Sequence, residues 1–351
     1  MSAVLDVSPP RAVTRAGSGN VWLAAAKRFR SDKVGMVSVA VVALFLLVVI
    51  AAGLGLVAKD WQVERAVPDA PPSFLGAAPK TESIAVAAPT GPNVDISAVD
   101  PLAPRYKEWD EAAKKYQTQA SARAETLPFG ADRLGRDVLA KAIKGAQVSI
   151  LVGVSAALLA TAIGTLLGAL AGFFGGKVGD LLEWVYNVFT AIPYILLIFA
   201  FAAVFGRGIG SVVLILGLAG WTGIYRLVRA EFIKHVVRDY VRSAEAIGAG
   251  NVSRMFRHIL PNVSHVVLVQ LSIFVVGFIK YEVILSYLGL GVGVDEVSWG
   301  TMLAEAQSEL ILGHWWQLAA ATIFMAVFVT AFSLMTDALR DALDPKLRGL
   351  E

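Results

Sequence analysis

Six uncharged apolar runs dominate this chain, and each is long enough to cross a membrane as an α-helix. About 20 apolar residues are needed, because about 30 Å of hydrocarbon must be crossed at about 1.5 Å per residue. Charged residues make up only 17% of the chain, which is typical of a protein surrounded by lipid. The pattern predicts an all-α integral membrane protein with six transmembrane helices. The runs are Val34–Ala58, Gly145–Gly176, Trp184–Gly206, Gly208–Tyr225, His258–Ile279 and Leu310–Thr336.

The runs divide the chain into five segments. Residues 1–32 form an N-terminal segment, 33–58 the first transmembrane helix, 59–140 an insertion after it, 141–340 a core of five helices, and 341–351 a tail. The first run is interpreted as a retained anchor and not as a secretory signal peptide, because it is long and follows 33 residues of chain. Within the 59–140 segment, Ala66–Pro104 is rich in proline and predicts an irregular chain. The next stretch, PRYKEWDEAAKKYQTQASARAE, predicts a short helix. We interpret the segment as a surface cap, with a docking surface as the alternative.

Lysine and arginine predict the orientation, because they are enriched in the short cytoplasmic loops of membrane proteins. With six spans, the basic loops and flanks fall on one side, which places both termini in the cytoplasm and the 59–140 segment outside. The basic residues on that side are Lys27, Arg28, Arg30, Lys33, Lys177, Arg226, Arg229, Lys234, Arg238, Arg242, Arg254, Arg257, Arg340, Lys346 and Arg348. The short loop on the opposite side has only Arg207. The sequence therefore predicts a multi-pass inner-membrane protein.

Composition excludes several kinds of chemistry in this chain. It has no cysteine, its four histidines show no metal-binding spacing, and its net charge of +3 gives no reason to propose nucleic acid. GFFGGKV (Gly172–Val178) superficially resembles a phosphate-binding loop, but Ala171 and Val178 stand where that motif needs glycine and a hydroxyl. We predict no catalytic residue, no metal site and no cofactor in this chain.

A polar loop, residues 233–262, lies between the fourth and fifth runs. Apolar residues recur at helical spacing from Ile233 to Ile247, and Gly248 and Gly250 suit the left-handed turn that ends a helix. Asn251 is the predicted N-cap of a second short helix, which Pro261 either stops or joins to the fifth span. The pattern predicts two short amphipathic helices joined by a tight turn. Such a unit could lie in lipid headgroups, bind DNA or contact a partner subunit; DNA is disfavoured because membrane spans hold both ends.

Four further motifs accompany this loop in a fixed order. The loop itself has Ser243-Ala244, Gly248 and then His258-Ile259-Leu260-Pro261, which resembles the E-A-A…G…I-x-L-P loop of ABC importer permeases. The other motifs resemble the dipeptide/oligopeptide/nickel branch of that family. They are FGADRLGRDVLAKAIKGAQVSI, GWTGIYRLVRAEF, EVILSYLGLGV with SWGTML, and DALRDALDPKLRG. The resemblance covers the first span and nearly everything after Phe129.

The resemblance implies an ATP-driven importer of di- or oligopeptides or similar solutes, working by alternating access. It implies a second homologous permease subunit, two cytoplasmic ATP-binding subunits that carry ATP and Mg²⁺, and an extracytoplasmic solute-binding protein. The family's loop contacts the ATPase, so the candidate coupling residues are Tyr240, Arg242, Ala244, Glu245, Gly248, Asn251 and Pro261. Arg242 stands where the family has a glutamate, and Glu245, one turn along, is the candidate substitute.

Three residues inside the predicted spans are candidates for the translocation path or gate. Pro193 predicts a kink in the third span, and Lys280 and Glu282 interrupt the fifth. Charges at such depth usually face a polar interior, although long side chains near a helix end also reach the membrane surface. The two charges are about 200° apart around a helix, so we do not expect them to pair. The three tryptophans Trp299, Trp315 and Trp316 predict an aromatic belt at headgroup level, beside a short interfacial helix.

Two other classes of protein are alternatives. An ion-coupled secondary transporter would use Glu282, Lys280 or His265, but six spans without an internal repeat are few for that class. An intramembrane enzyme would need paired catalytic residues on one face, and no such pair is evident.

Overall fold

The structure is a computed structural model that describes residues 21–77, 100–115 and 123–343. Residues 1–20, 78–99, 116–122 and 344–351 lie outside the described residues; they belong to the predicted N-terminal segment, the 59–140 segment and the tail. The described part is all-helical, with isolated β-bridges and no β-strand. It contains four helices long and apolar enough to span a membrane and two bent helix pairs, which makes six spans if each pair counts as one.

The first half of the described chain begins with α1 (Val21–Ser31) and the first spanning helix, α2 (Lys33–Gly53). Asp32 separates these two helices, and its side chain caps α2 by accepting a hydrogen bond from the backbone N–H of Val34 at 3.0 Å. The helix ends earlier than the predicted 58, because Gly55 adopts a left-handed turn with φ of 71°. Helix α3 confirms the helix predicted after the proline-rich stretch. The elements are α1 (Val21–Ser31), α2 (Lys33–Gly53), α3 (Tyr106–Lys115) and α4 (Val138–Phe174).

The third and fourth spans are bent pairs and not single straight helices. Helices α5 (Gly176–Ala191) and α6 (Tyr194–Phe205) meet at 91°. Pro193 has no backbone N–H, and Ile192 before it is extended with ψ of 129°, so the helix breaks there. The predicted kink is thus a full break. Helices α7 (Ile209–Gly220) and α8 (Thr222–Val236) meet at 42°.

The second half contains the polar loop and the last two spans. One continuous helix of 37 residues is formed by three consecutive elements: α10 (Asn251–Ser253), a π-helical turn over Arg254–Ile259, and α11 (Leu260–Tyr287). The fifth span therefore continues from Ile279 through Lys280 and Glu282, the two charges predicted to interrupt it, and ends at Tyr287. Leu310 belongs to α12 and not to the sixth span, where it was predicted. The elements are α9 (Asp239–Ala246), α10 (Asn251–Ser253), α11 (Leu260–Tyr287), α12 (Trp299–Ile311) and α13 (Trp316–Leu343).

Helix α4 lies at the centre of the bundle and packs against α7, α8 and α11. Gly164, Gly168 and Gly172 recur every four residues along one face of α4. A Cβ atom at Gly168 would lie 2.6 Å from the carbonyl oxygen of Tyr225, and one at Gly172 would lie 2.6 Å from that of Arg229. These small residues let the backbones of α4 and α8 approach closely, as is common between membrane helices.

The aromatic-belt prediction is wrong for two of the three tryptophans. Trp299 is fully buried, and its indole N–H donates to the carbonyl of Ala142 at 3.2 Å. Trp316 is buried, and its indole N–H donates to the carbonyl of Ala131 at 2.6 Å. Only Trp315 of the three is exposed. The stretch SWGTMLAEAQSELILGHWW predicted the short helix, but it could not show that other parts of the chain cover Trp299 and Trp316.

Candidate functional sites

The turn of the polar loop is built around Gly248. Helix α9 ends at Ala246, and Gly248 takes φ of 90°. The N–H of Gly248 donates to the carbonyl of Glu245 and that of Ala249 to the carbonyl of Ala244, both at 2.9 Å. This pair of bonds is the Schellman arrangement that closes a helix with a left-handed residue. Gly250, in contrast, has φ of −69° and ψ of 164°, so only the first glycine needs the left-handed conformation that we predicted for both.

The first predicted amphipathic helix of the loop is divided between two helices. Ile233 belongs to α8, which ends at Val236, and Arg238 is extended before α9 begins at Asp239. Of the two roles predicted for Pro261, the structure shows the second: the short helix continues through the π-helical turn into α11, and Pro261 lies in the first turn of α11. Asn251 is not its N-cap: Gly250 holds that position, and the side-chain oxygen of Asn251 accepts from the Arg254 guanidinium at 2.6 Å.

One apolar face of the loop packs inward and another is exposed. Val241, Met255 and Ile259 share a buried cluster with Phe232, and Ala244 is also buried. The opposite side exposes large apolar side chains, of which Ile247 is 86% and Val252 71% exposed. Exposed apolar patches of this kind mark surfaces that bind other molecules. Ala244 therefore supports the turn from inside. The exposed side holds Val237, Tyr240, Ile247, Val252 and Phe256.

The charged residues of the loop include an internal ion pair. Arg254 lies 2.6 Å from the carboxylate of Glu245, and its guanidinium lies 5.3 Å from the centre of the Phe173 ring. Glu245, which we predict to replace the family glutamate, is thus also engaged within this chain. Arg242 is exposed, and the hydroxyl of Tyr240 lies 2.8 Å from Nδ1 of His235.

The three candidate path residues lie in different surroundings. Glu282 is fully buried, and its Oε1 accepts from the Ser286 hydroxyl at 2.7 Å. The hydroxyls of Ser149 and Ser298 lie near the same carboxylate but fall outside hydrogen-bond geometry for its Oε2. Lys280 is exposed, so the two charges do lie on different faces of α11. The break at Pro193 places Tyr194 against Tyr281, with ring centres 4.9 Å apart.

A charge cluster that we did not predict joins the 59–140 segment to the bundle. Its centre is Lys141, whose Nζ is fully buried and donates to Asp132 at 2.7 Å, to Gln317 at 3.1 Å and to Glu305. Arg136 donates to the same carboxylate of Asp132 at 2.6 Å. We name these five residues the charge cluster. The GADRLGRD stretch could have indicated this cluster, because closely spaced opposite charges before an apolar run need partners. The spacing of residues could not identify the distant partners Glu305 and Gln317.

The carboxyl groups of Asp132, in the charge cluster, and of Glu309, near it, have different electrostatic surroundings. Burial acts to raise the pKa of Asp132, but the Lys141 ammonium and hydrogen bonds from Lys141 and Arg136 hold that pKa below its usual value. Burial raises the pKa of Glu309, near the end of α12, to about 7, although the N–H of Arg133 donates to it at 3.2 Å. Nearby, His314 lies 3.7 Å from Asp69.

Comparison with known proteins decides which class this architecture represents. Residues 164–349 match the family described as the inner-membrane component of binding-protein-dependent transport systems. The chain belongs to this family. The permease is 36% identical to a dipeptide transport system permease of Bacillus subtilis over 220 residues, which are 63% of this chain and 69% of the relative.

Two further relatives have related names. The permease is 32% identical to an oligopeptide transport system permease of Bacillus subtilis over 252 residues, 70% of this chain and 81% of the relative. It is 38% identical to a glutathione transport system permease of Escherichia coli over 222 residues, 63% of this chain and 73% of the relative. Together with the apolar helices, these matches identify a multi-pass inner-membrane permease of the ABC importer type, related to the peptide systems.

Proposed function

We propose that this permease subunit moves di- or oligopeptides, or similar solutes, into the cell by alternating access driven by ATP on partner subunits. It would pair with a second, related permease and receive solute from an extracytoplasmic binding protein. Both termini and the polar loop would face the cytoplasm, as the basic residues indicate. The cargo is inferred from the relatives' names, which specify dipeptides, oligopeptides and glutathione.

The observation that carries the coupling part is the exposed apolar side of the polar loop. Ile247 and Val252 flank the Gly248 turn, and most of each side chain is exposed in the described part of the chain. An ATP-binding subunit with a complementary apolar groove would bury both side chains. The inward face, with Val241 and Ala244, ties the loop to α8 and α11, so that movement of the loop would move both spans. The polar part of the contact would come from Tyr240, Arg242 and Glu245. In the second half of the loop, Asn251 accepts a hydrogen bond from Arg254, and Pro261 lies in the first turn of α11.

Substitution of Gly248 tests the coupling role. A Cβ at this position would meet no atom within 4 Å, so a new side chain acts only through the backbone. Left-handed backbone costs a non-glycine residue about 1–2 kcal/mol, and a β-branched residue more. We expect Gly248→Val to abolish most ATP-driven uptake into proteoliposomes while the membrane level of the protein stays normal. Gly248→Asn should restore much of the uptake, because asparagine tolerates this conformation.

Gly250→Val is the matched control. Gly250 also has open space around its Cβ position, but its backbone is one that any residue adopts. This variant should keep uptake near that of the unmodified protein. Normal uptake in Gly248→Val would contradict the coupling role of the turn. Uptake driven by an ion gradient in vesicles without ATP would instead support the secondary-transporter alternative.

A further inference from the structure

A cavity of about 310 Å³ opens between α8, α11 and α13, at the end of the bundle that carries the polar loop. Three side chains with hydrogen-bond donors line it: His265, Gln270 and Arg340. The remaining wall is apolar and includes Leu227, Val266, Val269 and Ile273. The coupling role proposed above uses none of these residues.

The chemistry of the cavity changes along the direction of the helices. His265 lies near the beginning of α11, and Arg340 lies three residues before the end of α13. Ile273 is eight positions beyond His265, about 12 Å deeper at about 1.5 Å per residue. His265 and Arg340 therefore lie at the end of the spans, where lipid headgroups are found, and the wall continues past Val269 and Gln270 to the apolar Ile273 towards the membrane interior.

We propose that this cavity binds an anionic phospholipid, with its phosphate between Arg340, His265 and Gln270 and an acyl chain along the apolar wall. Arginine pairs well with phosphate, and basic pockets between membrane helices bind anionic headgroups. Free inorganic phosphate would leave the apolar wall uncovered. A peptide would bring an ammonium group as well as a carboxylate, and the described lining contains no aspartate or glutamate to receive it. The assignment to the inner leaflet rests on the orientation proposed above.

The bound lipid would lie close to the polar loop. His235, near the end of α8, has its Nδ1 2.8 Å from the hydroxyl of Tyr240 in α9. Because α8 also lines the cavity through Leu227, one helix joins the cavity to the loop. Anionic lipid in the cavity would stabilise the arrangement of α8, α11 and α9 seen here.

Lipid retention tests this proposal. The full-length permease, purified with its partner subunits, is reconstituted in nanodiscs of equal parts phosphatidylglycerol and phosphatidylcholine, re-extracted, and its retained lipids are measured by mass spectrometry. We expect phosphatidylglycerol to be enriched over the bulk mixture. Arg340→Gln should lower the ratio of retained phosphatidylglycerol to retained phosphatidylcholine about fivefold, the effect of one basic residue near an anionic membrane, and Arg340→Lys should keep most of that ratio.

Two more variants make the test specific. Arg226→Gln removes a basic residue of α8 that stacks on the Tyr186 ring, 5.6 Å from its centre, and should leave the enrichment unchanged. Val269→Trp fills the cavity without changing charge and should reduce retention as Arg340→Gln does. The proposal is overturned by equal enrichment in Arg340→Gln, by no headgroup preference in the unmodified protein, or by displacement of lipid by added dipeptide. The readout does not depend on transport, so a failure here leaves the coupling proposal intact.

Discussion

Two ionisable residues only two positions apart in α11 have opposite surroundings. Glu282 is enclosed by α4, α11 and α12, where Ser286 donates to its carboxylate, whereas Lys280 is exposed. Gly300 at the start of α12 makes this enclosure possible, because a Cβ there would lie 2.5 Å from the carbonyl oxygen of Val283. The buried carboxylate thus lies at a helix junction inside this subunit. This position favours a structural or gating role for Glu282 over direct contact with solute.

Alanine at each of the two positions should separate their roles. Glu282→Ala removes a buried acceptor, opens a cavity and leaves the Ser286 hydroxyl without its partner, changes that cost about 2–4 kcal/mol together. We expect it to reduce uptake or the level of assembled protein well below that of Lys280→Ala, measured in the same membranes. Glu282→Gln, which keeps shape and an acceptor, should be intermediate. Equally small effects of both alanine variants would mean that neither residue has a gating or structural role.

At the scale of elements, α12 is more than an interfacial helix. Its N-terminus is closed by a capping box in which Ser298 and Thr301 exchange hydrogen bonds, and Trp299 anchors it in the bundle. Near its other end, Glu309 accepts from the backbone of Arg133 in the 59–140 segment. Helix α12 therefore connects the spans, through Trp299, to the 59–140 segment, through Glu309.

Glu309 should make the stability of the permease depend on pH. Burial raises its pKa from 4.5 to about 7, so between these values the folded state binds more protons than the unfolded state. The free energy of unfolding should then fall as pH rises from 5 to 7, by roughly 1–3 kcal/mol, and level off above. Thermal unfolding in detergent of Glu309→Gln should lack this part of the pH dependence.

The comparison variant for this measurement is Glu108→Gln, which changes an exposed carboxylate in α3. Identical pH profiles for Glu309→Gln and the unmodified protein would show that Glu309 is not protonated in the folded state at pH 5–7.

At the scale of the whole molecule, the charge cluster holds the 59–140 segment onto the helix bundle. Asp132 and Arg136 come from that segment, Lys141 from the first turn of α4, Glu305 from α12 and Gln317 from α13. Buried ion pairs add little stability when complete, but the loss of one partner leaves an uncompensated charge in the interior.

Lys141→Met should therefore loosen the segment from the bundle. Breaking a buried ion pair in this way costs about 3–5 kcal/mol, and the variant should unfold at a lower temperature and expose the segment to added protease. Lys144→Met makes the same change one turn later, where the ammonium donates to Gln147 at 2.7 Å in a partly buried site. This variant should behave nearly like the unmodified protein. Equal protease sensitivity of the two variants would show that the cluster does not hold the segment.

Several features of the fold followed from the chain alone, and the physical reason is local in each case. Apolar length predicted the spans, Pro193 predicted a kink at the position where the third span is broken, and the requirement of Gly248 for a left-handed turn was predicted from its place after an amphipathic helix. The predicted capping by Asn251 and the belt role of Trp299 and Trp316 were wrong. Both errors concern which group contacts a given side chain, and periodicity carries no information on that.

The apolar runs of the chain were enough to identify a helical membrane protein, because lipid requires apolar length and an internally satisfied backbone, and both can be read residue by residue. The permease class followed from the motifs that resemble the family and from the comparisons with its members. The sequence by itself also determined the order of motifs and the turn between α9 and α10. Three arrangements became visible in the folded chain alone: the contact of Lys141 with Glu305 and Gln317, the burial of Glu282 beside an exposed Lys280, and the basic cavity between α8, α11 and α13. These arrangements join residues far apart in the chain, and the packing of helices against one another determines such contacts.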